Sequence, residues 1–160
     1  EFFDVTFGLA KLNAVNVSVN WRLAPPEMAE IIADAEAEVV IVGPDFAGHI
    51  ERVEGDLDRV HTIVAVGGHD RWPGYDEWMA AHPAEDPGVQ SAGDDVAFQL
   101  YTSGTTGLPK GVMCTQDNFF GGHSFTDGTA EVRMAGNVVG GFFDARTEST
   151  AGLTAVASAA

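Results

Sequence analysis

The sequence predicts an α/β protein built on a partial parallel sheet, and three observations carry that prediction. Two apolar runs, EVVIVG at 38–43 and VHTIVAVGG at 60–68, read as strands buried on both faces of a parallel sheet. Segments of helical period stand before and between the apolar stretches. The connections are short, as in chains where helix and strand alternate.

In chain order, residues 2–12 (FFDVTFGLAKL) read as an amphipathic helix running into Asn13. Residues 14–19 follow as a strand, with Val15, Val17 and Val19 alternating with polar positions. The connector NWRLAPPE places Pro26 in the first turn of a helix over 27–37, whose Met28, Ile31, Ile32 and Ala35 share one face. A short helix is expected around 46–53, between the two buried strands. Residues 69–94 are rich in Pro, Gly and acid and read as a surface excursion, apart from a short helix at 75–81. A further strand, within DDVAFQLYTSG, leads into a loop of a different character.

Composition narrows the functional classes. Eight basic residues against 24 acidic ones give a net charge of −16, which repels nucleic acid and anionic membranes. No apolar run approaches the roughly 18 residues that cross a bilayer. Cys114 is the one cysteine; it excludes an internal disulfide and a cysteine-built metal site, and reads as a small buried hydrophobe. The five histidines, His49, His61, His69, His82 and His123, show no ligand spacing. Asp94 and Asp95 read as a solvated strand entry. The chain opens on Glu1 with no basic signal segment, so the expectation is a cytoplasmic chain that begins inside a larger domain.

The loop is YTSGTTGLPKG, Tyr101 to Gly111. Gly104 and Gly107 can adopt positive φ, so that successive backbone N–H groups converge on one anion. Thr102, Ser103, Thr105 and Thr106 add hydroxyls, and Lys110, one of only two lysines, adds a point charge on a flexible stem. Spacing excludes the common nucleotide P-loop, which needs Gly-Lys followed by Ser or Thr; here Lys110 lies between Pro109 and Gly111. No G-x-G-x-x-G run follows any strand, so a dinucleotide fold is excluded too.

As an ordered string, TSGTTGLPKG resembles the phosphate-loop signature of the adenylate-forming superfamily. Lys11 to Ile41 resembles that family's upstream segment; VNWRLAPPE within it, and GYDEWMAAHPAED, Gly74 to Asp86, resemble the acyl-CoA synthetase branch. The resemblance covers about residues 1–120 and implies part of that family's large N-terminal domain. It further implies a parent reaction in which a small carboxylic acid attacks the α-phosphate of ATP, pyrophosphate leaves, and the thiol of coenzyme A captures the acyl-adenylate. By the family pattern Thr102, Ser103, Gly104, Thr105, Thr106, Gly107 and Lys110 face the β- and γ-phosphates, with Thr105 or Thr106 contributing to a Mg²⁺ site. Lys110 is not the family's separate lysine that acts on the adenylate, so no residue here is assigned as catalytic.

Past the loop, Thr115 or Asp117 is expected to cap a short helix before Phe119 and Phe120. Beyond about residue 121 the pattern fades. No proline follows Pro109 and no histidine follows His123, so the family's Pro-Leu-Phe-His element is missing. Residues 121–160 therefore read as a diverged, truncated or out-of-frame tail. The expectation is a fragment of an acyl-CoA synthetase, inactive alone. The alternatives are a non-catalytic phosphate-binding remnant, or a subunit completed by another chain.

Overall fold

The computed structural model describes residues 1–102, 109–119, 122–126, 131–135 and 153–158, the last three segments through their backbone. The elements in order are α1 (Phe2–Lys11), β1 (Ala14–Val19), α2 (Pro25–Asp34), β2 (Val39–Val42), α3 (Ala47–Glu51), β3 (Thr62–Ala65), α4 (Tyr75–Ala80), β4 (Val96–Thr102), β5 (Lys110–Thr115), α5 (Gln116–Phe119), β6 (Gly122–Thr126), β7 (Glu131–Ala135) and β8 (Leu153–Ser158). Short 3₁₀ turns at Pro44–Phe46 and Glu54–Asp56 flank α3.

Local chemistry explains the one helix whose bounds differ most from expectation. α2 starts at Pro25, because prolines in the first turn surrender N–H groups that have no intrahelical partner. Glu27 reaches back to accept the Ala24 amide at 2.8 Å. The helix stops at Asp34 because Glu36 adopts φ 51°. The Glu36 and Ala37 amides then close onto the carbonyls of Ala33 and Ile32 at 3.0 and 3.1 Å, a Schellman ending.

The main sheet has the order β3-β2-β8-β1-β4-β5. β1 pairs parallel with β4, and β2 parallel with β3. Two strands depart from the parallel pattern. β5 returns antiparallel beside β4, so the glycine-rich loop joins a hairpin rather than entering a helix. β8 lies antiparallel between β1 and β2, with Ala155 opposite Val17 on one side and Val40 on the other. The tail thus supplies a strand to the sheet's interior. β6 and β7 form a separate antiparallel pair.

Helices cover both faces. Val15, Val17 and Val19 of β1, with Val40 and Val42 of β2, pack against Met28, Ile31 and Ile32 of α2, Ile50 of α3 and Trp72. On the opposite face Ile41 and Val64 pack with Tyr75 of α4, and Val5 of α1 joins them. Asn16 points to α1, where its Nδ2 donates to Thr6 Oγ1 at 3.1 Å. Strand alternation assigns these two faces, and it explains why β2, and β3 after Thr62, are apolar.

Two surface expectations change. Cys114 is half-buried rather than buried, and its neighbours Val112 and Met113 are 47% and 66% exposed. The cause is position: β5 is the edge strand, with β4 alone beside it in the sheet. Asp95 is not simply solvated. Its carboxylate accepts from Asn13 Nδ2 at 2.8 Å and from the Ala92 amide at 2.7 Å, and its carbonyl accepts the Gln116 amide at 2.8 Å. That carboxyl consequently sits below its ordinary pKa, the Ala92 amide being the main cause and Asn13 the second.

Candidate functional site

β4 and β5 form the stem of the candidate site. Their register pairs Thr102 with Lys110 and Tyr101 with Gly111, so the last stem pair brings together the first and last expected phosphate contacts. Both side chains are exposed at the mouth of the hairpin. Ser103, Gly104, Thr105, Thr106 and Gly107 lie outside the described residues.

The two lysines differ in their surroundings. Lys11 donates to Asp86 Oδ2 at 3.0 Å, an exposed pair. Lys110 makes no hydrogen bond or ion pair among the described residues. In a chain of net charge −16, this cation stands at the end of a Ser/Thr/Gly segment.

The stem is fixed from below. Tyr101 Oη donates to Asp34 Oδ2 at 2.5 Å and accepts from Gln99 Nε2 at 2.9 Å. Burial first, then the bond to Asp34, push the Tyr101 phenol far above its ordinary pKa, so the donor proton stays in place. Gly111 leaves room for Gln99: a Cβ there would stand 2.4 Å from Gln99 Nε2 and 3.1 Å from Tyr101 Cζ, so the Gln99 amide would have to move. The sequence reading missed this group, because Asp34 and Tyr101 are 67 residues apart and neither stands out locally.

Downstream, the expected cap is realised by Thr115: its Oγ1 accepts the Asn118 amide at 3.3 Å, while Asn118 Oδ1 accepts the Thr115 amide at 3.2 Å. Gly93 holds the other side of α5, accepting the Asp117 amide at 2.9 Å.

Elsewhere, His69 stacks on Trp72 at 4.0 Å, and Glu51 and Glu54 bridge His69, Arg71 and Trp72. This cluster borders a shallow cleft of about 400 Å³ that includes Leu57 and Ile63. A second cleft of about 460 Å³ lies between Phe7, Lys11, Asp86 and Gln116. Neither meets Thr102 or Lys110. Among the described residues no group of His, Cys, Asp and Glu could hold a metal ion, and no helix is long and apolar enough to cross a membrane.

A strand-loop-strand hairpin on a helix-covered, partly parallel sheet places the chain in the α/β class. The chain matches the AMP-binding enzyme family over residues 1–144, and it belongs to that family. It is 38% identical over 136 residues to the long-chain-fatty-acid–CoA ligase FadD13 of Mycobacterium tuberculosis, covering 83% of this chain and 26% of the relative. It is 33% identical to the 3-hydroxybenzoate–CoA/4-hydroxybenzoate–CoA ligase of Thauera aromatica, over 71% of this chain and 22% of that one.

Among solved structures, the anthranilate CoA ligase AuaEII in complex with anthranoyl-AMP superposes with a TM-score of 0.66 at 34% identity, over 71% of this chain and 22% of that one. The N-terminal domain of FACL13 from M. tuberculosis gives 0.62 at 37% identity, over 74% and 29%. The chain thus spans about a quarter of the length of the relatives it matches. The family match runs past residue 120 and stops short of β8.

Proposed function

We propose that this chain carries the ATP phosphate-binding element of an acyl-CoA synthetase, and that alone it binds Mg²⁺-polyphosphate without completing the ligase reaction. The observation that carries the reading is the stem pair Thr102–Lys110, which sets a cation with no partner among the described residues and a hydroxyl at the two ends of a Ser/Thr/Gly segment. Lys110 and Thr102 suit phosphate oxygens, and the N–H groups and hydroxyls of Ser103, Gly104, Thr105, Thr106 and Gly107 complete the cradle in this reading. Threonine hydroxyls are hard oxygen donors, which suits Thr105 or Thr106 to Mg²⁺. When bound, the ion would share the neutralisation of charge that builds on departing pyrophosphate.

ATP, Mg²⁺, coenzyme A and a small carboxylic acid are the reactants of the parent reaction. Only the phosphate contacts are assigned to this chain's own residues. The non-catalytic outcome follows from extent: about a quarter of a relative's length leaves the acid, adenine and thiol sites without assigned residues. ATP–pyrophosphate exchange with a panel of fatty and aromatic acids tests this. The expected result is Mg²⁺-ATP binding with no exchange; exchange by the chain alone would overturn the non-catalytic reading, and no binding would overturn the loop assignment.

A further inference from the structure

The hydrogen-bonded group below the hairpin has no role in the phosphate reading as stated, yet it sits beside Thr102, at the base of the stem. β5 is an edge strand with two strongly exposed apolar residues, so little packing restrains it, and its position depends on how β4 is held. Tyr101 supplies a restraint. It is the residue before Thr102, its ring packs against the main core cluster, and its hydroxyl reaches Asp34 on α2.

Asp34 is the last residue of α2, where the helix dipole disfavours a carboxylate. A donor fixed at 2.5 Å compensates it there. Gln99 approaches from the same face of β4 and donates to the same hydroxyl, and Gly111 on β5 leaves room for this approach. One phenol thus ties β4 to α2, beside β5, at the base of the stem.

We infer that Tyr101 is a positioning residue: bonded to Asp34 and Gln99, it fixes the loop's base against α2 and sets the aim of Thr102 and Lys110. The effect on ligand binding rests on the phosphate reading above, whereas the anchoring does not.

The test uses the full 160-residue chain as wild type, Tyr101→Phe, Asp34→Ala and Asp34→Asn. Amide hydrogen exchange and calorimetric titration with Mg²⁺-pyrophosphate are both measured. In Tyr101→Phe and Asp34→Ala, amides of Thr102 and Gly111 are expected to exchange about tenfold faster, with Val40 and Val64 unchanged, and pyrophosphate to bind about tenfold more weakly. Asp34→Asn keeps an acceptor oxygen and is expected to restore most of both.

Unchanged exchange at the stem overturns the anchor. Faster exchange throughout β2 and β3 also overturns it, because that is general destabilisation. A loosened stem with undiminished pyrophosphate affinity overturns the positioning role. If wild type binds no pyrophosphate while the stem still loosens, the phosphate reading fails and takes the positioning role with it, but the anchor stands.

Discussion

Replacing Ile32 by alanine probes the packing that supports the hairpin. Ile32 is 1% exposed and lies on the α2 face that covers β1 and β2. The change removes three buried carbons, a transfer loss of about 2.4 kcal/mol at about 0.8 kcal/mol each. Incomplete collapse of the cavity adds about 1 kcal/mol. The better helix propensity of alanine returns about 0.4 kcal/mol. The expected cost is therefore about 3 kcal/mol, a large share of a small domain's stability. Urea unfolding followed by tryptophan emission measures it, since Trp72 is buried in the same cluster. Val112→Ala on exposed β5 is the control, expected within about 0.5 kcal/mol of wild type. A cost below about 1 kcal/mol for Ile32→Ala, or equal costs for the two variants, would refute the assignment of the core to the α2 face.

Other consequences are as direct. Lys110→Ala is expected to weaken Mg²⁺-pyrophosphate binding by about 10- to 100-fold, the value of a charge-assisted hydrogen bond; Lys11→Ala, which removes an exposed pair with Asp86, serves as the control and is expected to change it less than twofold, both read by titration calorimetry. Ala155→Pro removes a donor from the interior of β8, between β1 and β2, and is expected to lower urea stability by more than about 2 kcal/mol; wild-type stability would show that β8 does not complete the sheet. Because the fold raises the Tyr101 pKa, it favours the protonated phenol. That stabilisation is complete below about pH 10, the ordinary tyrosine value, and is lost as pH rises above it toward the folded value. Alkaline unfolding of Tyr101→Phe is expected to lack that component. Glu36→Gly relieves a left-handed residue at φ 51° and is expected to raise stability by about 0.5–1 kcal/mol in the same urea assay, since the exposed pair it loses with Arg59 contributes little.

Much of the fold was legible because its determinants are local. Alternation at Val15, Val17 and Val19 delimited β1, and the helix at 75–81 needed only its own period. The pairing of strands was less legible. Nothing in the sequence near Lys110 says that the chain reverses beside β4, because that pairing is made between strands and not within either one. The insertion of β8 depends on hydrogen-bonding edges left by β1 and β2, far away in sequence. Of the candidate site, residue types and order were legible, whereas the support of the stem by Asp34 and Tyr101 was not. That support comes from an ordinary helix end and an ordinary tyrosine, brought together by the α2–β4 packing.

Titration of the unmodified chain with Mg²⁺-pyrophosphate, mapped by amide hydrogen exchange, tests the phosphate-loop reading most directly. Protection concentrated between Thr102 and Gly111, with none along the cleft beside Trp72, is the result predicted. Absence of binding, or protection confined to another part of the chain, would contradict it.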